Sequence, residues 1–326
     1  MEKQTSRSLF WPVILIGAGV IWLLGTLGII PGENFAALGS LWPLILIAIG
    51  LDLLFGHRSP LGGAIVGLIT VGLVIFFLIA GPSLVPDSVS MLKTEYISAE
   101  IGQSVSADIR LDFAAQPVTI TALDDSTSLL EGEIDHYGTL QFADTGLQNR
   151  RIALQQFNNN PWSLQLNPNA AWEIELTPLL PLDLTISGAS GSADLDLSEL
   201  QLKGFEIDQG SGSLTLRLPA SSREYIARIE GGSGSLHLFL PADGDLIVNL
   251  DGGSGSINIE IPPQAAAQLT VRSAGSGSVN VPSWLERQQG GSDSKEGVWK
   301  TEGFDQAAHK LTIICDDLGS GSFTIH

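Results

Sequence analysis

The stretch EGGSGSLHLFLPADGDLIVNLDGGSGSINIEIP, residues 230–262, contains the phrase GGSGS twice, and alternating apolar residues follow each copy. Glycine–serine runs are typical of flexible linkers, and glycine-rich turns can also cradle phosphates or calcium. A flexible linker has no reason to keep apolar residues in a fixed phase with its glycines. We therefore interpret the phrase as a structural turn between strands.

This turn belongs to a repeat that occupies residues 187–326. The second glycine of the turn recurs at intervals of 21, 22, 21, 22 and 44 residues. Apolar residues stand two and four places after it, so each unit predicts a turn, a strand, a second turn and a second strand. The repeated glycines are Gly191, Gly212, Gly234, Gly255, Gly277 and Gly321.

Units of this length cannot bury an apolar face alone and are expected to stack. Residues 187–326 therefore predict a right-handed parallel β-solenoid, and residues 92–186 predict an N-terminal β region that caps it. The doubled last interval predicts an inserted loop over about 283–310. Residues 149–172 are expected to form an irregular loop between strands. In outline, the sequence predicts a membrane α-helical anchor followed by an all-β half.

The repeated turn lacks the marks of a ligand loop. No third glycine and no helix follow it, as a dinucleotide loop requires. Ser235 and Ser256 stand where the calcium-binding β-roll repeat carries its aspartate. The histidines are scattered, and no nucleophile, base and orienting group occur together, so we expect no catalytic residue, no metal and no cofactor. Cys315, the single cysteine, lies in an alternating strand and is expected to be a core residue.

The chain is strongly acidic, with a formal net charge of −19, and residues 88–326 hold 13 basic and 31 acidic residues. Such a charge repels nucleic acid, so no nucleic-acid partner is expected. Carboxylates also stand four places before four of the turn glycines. Stacked, they would form an acidic column for cations or a basic partner, although solvated turns also favour aspartate, and we prefer this second interpretation. The four residues are Asp208, Glu230, Asp251 and Asp317.

The first quarter of the chain contains three apolar runs, at 9–30, 38–55 and 61–80, each close to the ~20 residues that a membrane-spanning helix needs. The first two are copies that align without gaps. Each begins with a Trp–Pro pair, which suits a helix start at the membrane interface, and glycines in both copies allow close helix contact. These pairs are Trp11 with Pro12 and Trp42 with Pro43. The short link 31–37 predicts an antiparallel hairpin.

The basic residues near the apolar runs predict the orientation in the membrane. Lys3 and Arg7 precede the first run and Arg58 lies between the second and third, so the positive-inside rule places residues 1–8 in the cytoplasm. Three crossings put the linker 82–91 and the β half outside. A fourth crossing would reverse that assignment. Asp52 is expected to lie at the interface rather than in a proton relay.

These motifs resemble two known families. The copies FWPVILIGAGVIWLLG and LWPLILIAIGLDLLFG resemble the LiaI–LiaF-like transmembrane region of bacterial envelope-stress proteins. ADIRLDFAAQPVTITAL, LLEGEI, PLDLTISGASGSADLDLSEL and the GSGS units are similar to the toast-rack family, also catalogued as candidate adhesins. The resemblance implies a bacterial multi-pass membrane protein that modulates an envelope-stress response through a membrane-protein partner, such as a sensor histidine kinase. It transfers no catalytic or ligand residue.

Three functions follow as hypotheses. The first is a non-enzymatic protein in the lipid bilayer that senses or transmits envelope state through protein–protein contacts. The second is an adhesin or a self-assembling scaffold, because the last unit, GSGSFTIH, is expected to leave an uncovered solenoid end for strand addition. An enzyme acting on wall polysaccharide is the third and least favoured, because no two acids have environments that separate their pKa values.

Overall fold

The computed structural model describes residues 9–27, 42–56, 60–80, 92–113, 116–124, 127–157, 170–188, 191–291 and 294–326. The linker predicted at 82–91 and the helix link predicted at 31–37 lie outside these residues. The chain separates into two compact units, one containing the helices and one containing the strands. A helical N-terminal region and a large all-β domain are thus present, as the sequence indicated in outline.

The first unit contains helices α1 (Phe10–Thr26), α2 (Trp42–Leu51) and α3 (Pro60–Ala80), with a π-helical segment, Asp52–Gly56, continuing α2. Within the described residues, only α3 contains a segment long and apolar enough to cross a membrane, Leu61–Ile79. The described parts of α1 and α2 are shorter than the predicted spans 9–30 and 38–55. Three crossings therefore stay a prediction.

The close glycine contacts lie between α1 and α3. A Cβ atom added at Gly17 would lie 2.3 Å from Cγ2 of Val71, and one at Gly67 would lie 3.0 Å from Cγ1 of Val13. Gly19 and Gly50, the glycines matched in the two sequence copies, have no atom within 4 Å of such a Cβ. The sequence thus indicated close helix packing, but its closest points join the first helix to the third.

The described residues of the second unit contain 21 strands in two sheets. The ten strands of sheet A, in spatial order, are β1 (Lys93–Glu100), β4 (Ser128–His136), β7 (Trp172–Leu176), β3 (Val118–Ala122), β9 (Ala193–Asp196), β11 (Leu214–Arg217), β13 (Leu236–Phe239), β15 (Ile257–Glu260), β21 (Ser322–Ile325) and β17 (Ser278–Asn280). The eleven of sheet B are β18 (Glu286–Gln289), β19 (Gly297–Lys300), β16 (Ala267–Val271), β20 (Leu311–Asp317), β14 (Leu246–Asp251), β12 (Tyr225–Glu230), β10 (Gln201–Asp208), β8 (Pro181–Ser187), β2 (Ser106–Asp112), β6 (Asn149–Phe157) and β5 (Thr139–Thr145).

Both sheets are mixed rather than purely parallel, which corrects the expectation of a parallel solenoid in its simple form. The central strands pair in parallel, as in Leu214↔Leu236 and Leu236↔Ile257. Antiparallel pairs flank them, formed by β1, β4 and β5 on one side and by β18 and β19 on the other. The right-handed sense of the coil stays a prediction.

Eight sheet B strands are each followed in the described chain by a sheet A strand, and each such pair forms one rung; these sheet B strands are β2, β6, β8, β10, β12, β14, β16 and β20. Inward side chains alternate with outward ones, and the inward apolar residues of both sheets form one continuous core that includes Leu216, Val248 and Ile313. Successive side chains of a strand point to opposite faces, so every second residue faces inward, and most of these inward residues are Leu or Ile. The strand order predicted from the apolar phase is therefore present within each rung.

The rungs do not follow one another in chain order. The last rung, β20–β21, lies between β14–β15 and β16–β17 in both sheets. The first, β2–β3, lies in the same way between β6–β7 and β8–β9. GSGSFTIH is thus an internal rung, and the expectation that it forms the uncovered end of the solenoid is wrong.

Two segments expected to be irregular contain strands. Residues 149–157 form β6, with Ile152 and Leu154 buried. The first nine residues of the predicted loop 149–172 are therefore a strand, which corrects that prediction. The inserted segment 283–310 carries the antiparallel hairpin β18–β19, which pairs with β16 and extends sheet B beyond the last parallel strand. Trp299 of this hairpin is buried against the core. The insertion therefore covers the end of sheet B.

Candidate interaction surfaces

The turn glycines stack in two columns across the rungs. A Cβ atom added at Gly234 would lie 1.7 Å from the carbonyl oxygen of Gly212, and one at Gly255 would lie 1.6 Å from that of Gly234. Gly321 meets Gly255, and Gly277 meets Gly321, at 1.6 and 1.8 Å. Close approach of one backbone to the next thus excludes any side chain. Gly191 lies in the corresponding turn before β9.

A second glycine column runs beside the first and contains Gly232, Gly253, Gly319 and Gly275. Of these, Gly319 and Gly275 also have positive φ angles, 63° and 55°. The other turn glycines named here are not among the positive-φ residues of the described chain. The requirement for glycine in these turns is therefore mainly one of space.

The strand register brings the four predicted acidic residues together. Asp208 pairs with Glu230, Glu230 with Asp251, and Asp251 with Asp317, at the ends of adjacent sheet B strands. All four side chains are exposed. The carboxylate of Asp317 accepts hydrogen bonds from the Gly319 N–H (3.0 Å) and the Ser273 hydroxyl (3.3 Å), as expected for a turn residue.

The column also extends by one carboxylate that the sequence reasoning missed. Ser187 is the register partner of Asp208 on one side and of Asp112 on the other, so Asp112 continues the row. Nε2 of Gln155 donates to Oδ2 of Asp112 at 2.8 Å. The spacing from a turn glycine could not reveal Asp112, because the turn after β2 has no GSGS phrase.

The Trp–Pro pairs both stand at helix starts. Trp11 and Pro12 are the second and third residues of α1, and Trp42 and Pro43 are the first two of α2. The Trp11 side chain is 62% exposed, and its ring contacts that of Phe10 edge-on at 5.6 Å between centroids. The side chains of Trp42 and Pro43 lie outside what the structure describes.

A second acidic surface lies on the outer face of sheet A. Glu131 is directly opposite Glu175, and Glu133 is opposite Glu173, on the antiparallel strands β4 and β7. We name these four residues the glutamate face; they line a shallow concavity of about 470 Å³. The hydrogen bond from Tyr96 to Glu133, together with the charge of that carboxylate, raises the pKa of the Tyr96 hydroxyl. The spacing E-x-E in LEGEI and WEIEL was the signal that the sequence reasoning missed.

The described residues hold no group of three or more His, Cys, Asp or Glu side chains arranged to bind a metal ion. Cys315 is fully buried, and burial raises the pKa of its thiol far above the ordinary value. Nδ1 of His309 lies 3.1 Å from Oδ2 of Asp245, and this contact lowers the pKa of Asp245. The pair joins the turns before β20 and β14, so it links the rung β20–β21 to the neighbouring rung β14–β15.

Comparisons with known proteins address both units. Residues 9–54 match the family model of the LiaI-LiaF-like transmembrane region, and residues 88–239 match that of the N-terminal domain of toast_rack proteins. The chain thus carries a segment that matches the LiaI-LiaF-like region, followed by one that matches the N-terminal toast-rack domain. The resemblance inferred from the sequence is thus confirmed, and the LiaI-LiaF-like region implies association with a membrane.

The toast-rack match ends at residue 239, the last residue of β13, so the interleaved rung β20–β21 lies beyond it. One solved structure, a candidate cell adhesion protein from Clostridium sporogenes, is similar over 72% of this chain and 99% of its own, with 16% identity and a TM-score of 0.47. No curated protein matches the chain in sequence. Neither family model describes an enzyme.

Proposed function

We propose that this chain is a non-enzymatic, multi-pass protein of the bacterial cell membrane that modulates envelope-stress signalling by protein–protein contact. The observation that carries the proposal is the joining of a LiaI-LiaF-like region and a toast-rack domain on one chain. The LiaI-LiaF-like region would contact a membrane partner, such as a sensor histidine kinase. The toast-rack domain would present its outer faces to the envelope.

The surfaces of the β unit support a binding role. Like charges placed directly opposite each other destabilise a sheet, yet the glutamate face places two such pairs side by side. The exposed carboxylates of Asp208, Glu230 and Asp251 form a second row on the other sheet. Both rows would favour a partner with basic residues over nucleic acid or another acidic protein.

The membrane half can be tested by exchange. Replacing residues 9–56 with a foreign membrane anchor should abolish the change in a stress-responsive reporter while leaving the β domain attached to the membrane. The matched control keeps the native segment and changes only Trp22, an exposed tryptophan outside the Trp–Pro pairs, to Phe. An unchanged reporter response after the exchange would show that the helices serve only as an anchor.

Topology needs a separate experiment, because three crossings and an outside β domain are part of the proposal. A cysteine at Ser294, in the hairpin between β18 and β19, should react with an impermeant thiol reagent in intact cells. Cys315 can stay in place, because its buried thiol should not react in the folded chain. Labelling of S294C only after lysis would place the β domain inside and contradict the proposal.

A surface adhesin is the second candidate, because the toast-rack family is also catalogued as candidate adhesins. One observation favours it: β1 and β17 are the outermost strands of sheet A among the described residues, and an edge strand can accept a further strand. Sedimentation of the purified full-length protein in lipid nanodiscs separates the two candidates. Discs that stay single at high concentration argue against self-assembly.

A further inference from the structure

Three neighbouring loops of the β unit form a surface that none of the functions above uses. They are the loops 101–105, 146–148 and 177–180, which lead into β2, β6 and β8. These strands are neighbours in sheet B, with Ser106 paired to Asn149 and Ala107 paired to Leu182. The loops therefore lie side by side at one corner of three adjacent rungs, opposite the corner that carries the glycine columns. We name them the neutral edge.

The neutral edge contains no charged residue, in sequences IGQSV, GLQ and TPLL, although the β half carries 13 basic and 31 acidic residues. Each loop presents one aliphatic side chain to solvent. Val105 is 58% exposed, Leu147 76% and Leu179 62%. The described part of the β unit exposes only six large apolar side chains, and three of them are these.

The loops are held in place by their own hydrogen bonds. The Val105 N–H donates to the Gln148 carbonyl at 2.8 Å, and the Leu179 N–H donates to the Thr177 hydroxyl at 3.2 Å. Ser104, which is almost fully buried, directs its hydroxyl to the Leu147 carbonyl at 3.4 Å. The three aliphatic tips are thus fixed on a framework rather than folded back over the core.

We propose that the neutral edge docks on the lipid bilayer, with Val105, Leu147 and Leu179 entering the headgroup layer. This inference rests on the membrane attachment in the proposed function, not on its signalling role. Eleven residues separate Ala80 of α3 from Leu92, and a chain of that length spans at most about 40 Å, so a β domain attached to a membrane-spanning α3 would stay within about that distance of the bilayer. An acidic domain held there would reach lipid most easily through an uncharged, apolar edge.

Lipid fits these tips better than a protein partner does. The three loops contain no aromatic and no charged residue of the kind that anchors a protein partner, whereas a fluid bilayer accommodates each aliphatic tip independently. The loops contain no basic side chain, so we also expect docking to depend on the charge of the lipid. Docking should be stronger on zwitterionic than on anionic membranes, because the β half carries 31 acidic and only 13 basic residues and its net negative charge repels anionic headgroups.

The test uses the full-length protein reconstituted in phosphatidylcholine vesicles that carry a lipid-attached quencher. A fluorophore is coupled to L147C in one sample and to S233C, in the opposite corner, in the other. The unsubstituted protein controls for labelling of Cys315. Fluorescence at position 147 should be quenched and that at 233 should not. A further L179D change should reduce the ratio of docked to undocked protein about tenfold, because burial of each leucine favours the docked state by about that factor.

Flotation of the same vesicles shows separately whether the chain is anchored. Anchored protein with equal quenching at 147 and 233, or with quenching that L179D leaves unchanged, overturns the docking proposal while leaving the proposed function standing. Quenching at 147 that appears only after a bacterial membrane extract is added assigns the edge to a protein partner and also overturns it. Weaker quenching with phosphatidylglycerol, restored by salt, is the further result expected.

Discussion

At the scale of single residues, the turn glycines show how one missing Cβ atom permits the fold. Across five successive rungs, at four successive contacts, the carbonyl of one turn occupies the place where the next glycine would carry its side chain. The sequence could predict this, because glycine kept phase with the buried apolar positions over many units. It could not show that spacing between backbones, rather than positive φ, imposes the requirement.

Gly234→Ala should therefore destabilise the β domain strongly, by about 3 kcal/mol or more, since the new methyl group overlaps the Gly212 carbonyl and backbone must move. Gly291→Ala is the matched control, because nothing lies within 4 Å of its Cβ position. Urea unfolding followed by circular dichroism measures both. Equal midpoints for the two variants would contradict the packing argument.

Asp245 predicts a defined dependence of stability on pH. Its contacts with His309 and with the Lys310 N–H hold its pKa below the ordinary 3.8. A lowered pKa contributes stability above that ordinary value, and the contribution disappears as the pH falls through the lowered value. Asp245→Asn should thus be less stable than the parent at pH 6, and the difference in thermal unfolding should shrink as the pH is lowered below 3.8.

At the scale of elements, strand register converts scattered acids into surfaces. The period of the repeat was enough to place Asp208, Glu230 and Asp251 in one column. Adjacent parallel strands pair residues that are one repeat apart in the sequence, so equivalent positions lie side by side. The glutamate face was not predictable in this way, because β4 and β7 are antiparallel and distant in sequence. Its only local signal, two E-x-E spacings, does not say which strands pair.

Relief of the like-charge pairs should be measurable. Glu173→Gln should stabilise the domain by about 0.5 kcal/mol at low salt, because Glu173 lies opposite Glu133, and less at 0.5 M salt. Glu260→Gln serves as the control, since Glu260 lies 3.4 Å from Nε2 of His237 and gains nothing from neutralisation. A gain of equal size in both variants would indicate general charge reduction rather than the pair.

At the scale of the whole molecule, local pattern no longer suffices. The apolar phase predicted the rungs but not their spatial order, because β20–β21 has the same alternation as its neighbours and fits equally well at the end or inside. The doubled interval before Gly321 was the one hint that chain order and spatial order diverge. Likewise β6 was not predicted as a strand, because its two inward apolar residues, Ile152 and Leu154, are surrounded by polar residues in the sequence.

Deleting residues 311–326 should abolish cooperative unfolding of the β domain, because it removes a rung from the middle of both sheets. Replacing 286–300 with a short glycine–serine link removes only the outer hairpin and should lower the stability while keeping a single transition. Differential scanning calorimetry distinguishes the two. A cooperative transition in the 311–326 deletion would show that β14–β15 and β16–β17 can close on each other.

The interleaved rung also has a consequence for how the protein is made. Synthesis delivers the chain in order, so β14–β15 and β16–β17 emerge before the strands that belong between them. Until β20 and β21 leave the ribosome, β14–β15 and β16–β17 lack the neighbour that they share, and their unpaired strand edges stay open to proteases. Synthesis through β21 thus becomes a condition for a folded domain. A product that stops before β21 would be degraded rather than kept as a slightly shortened protein.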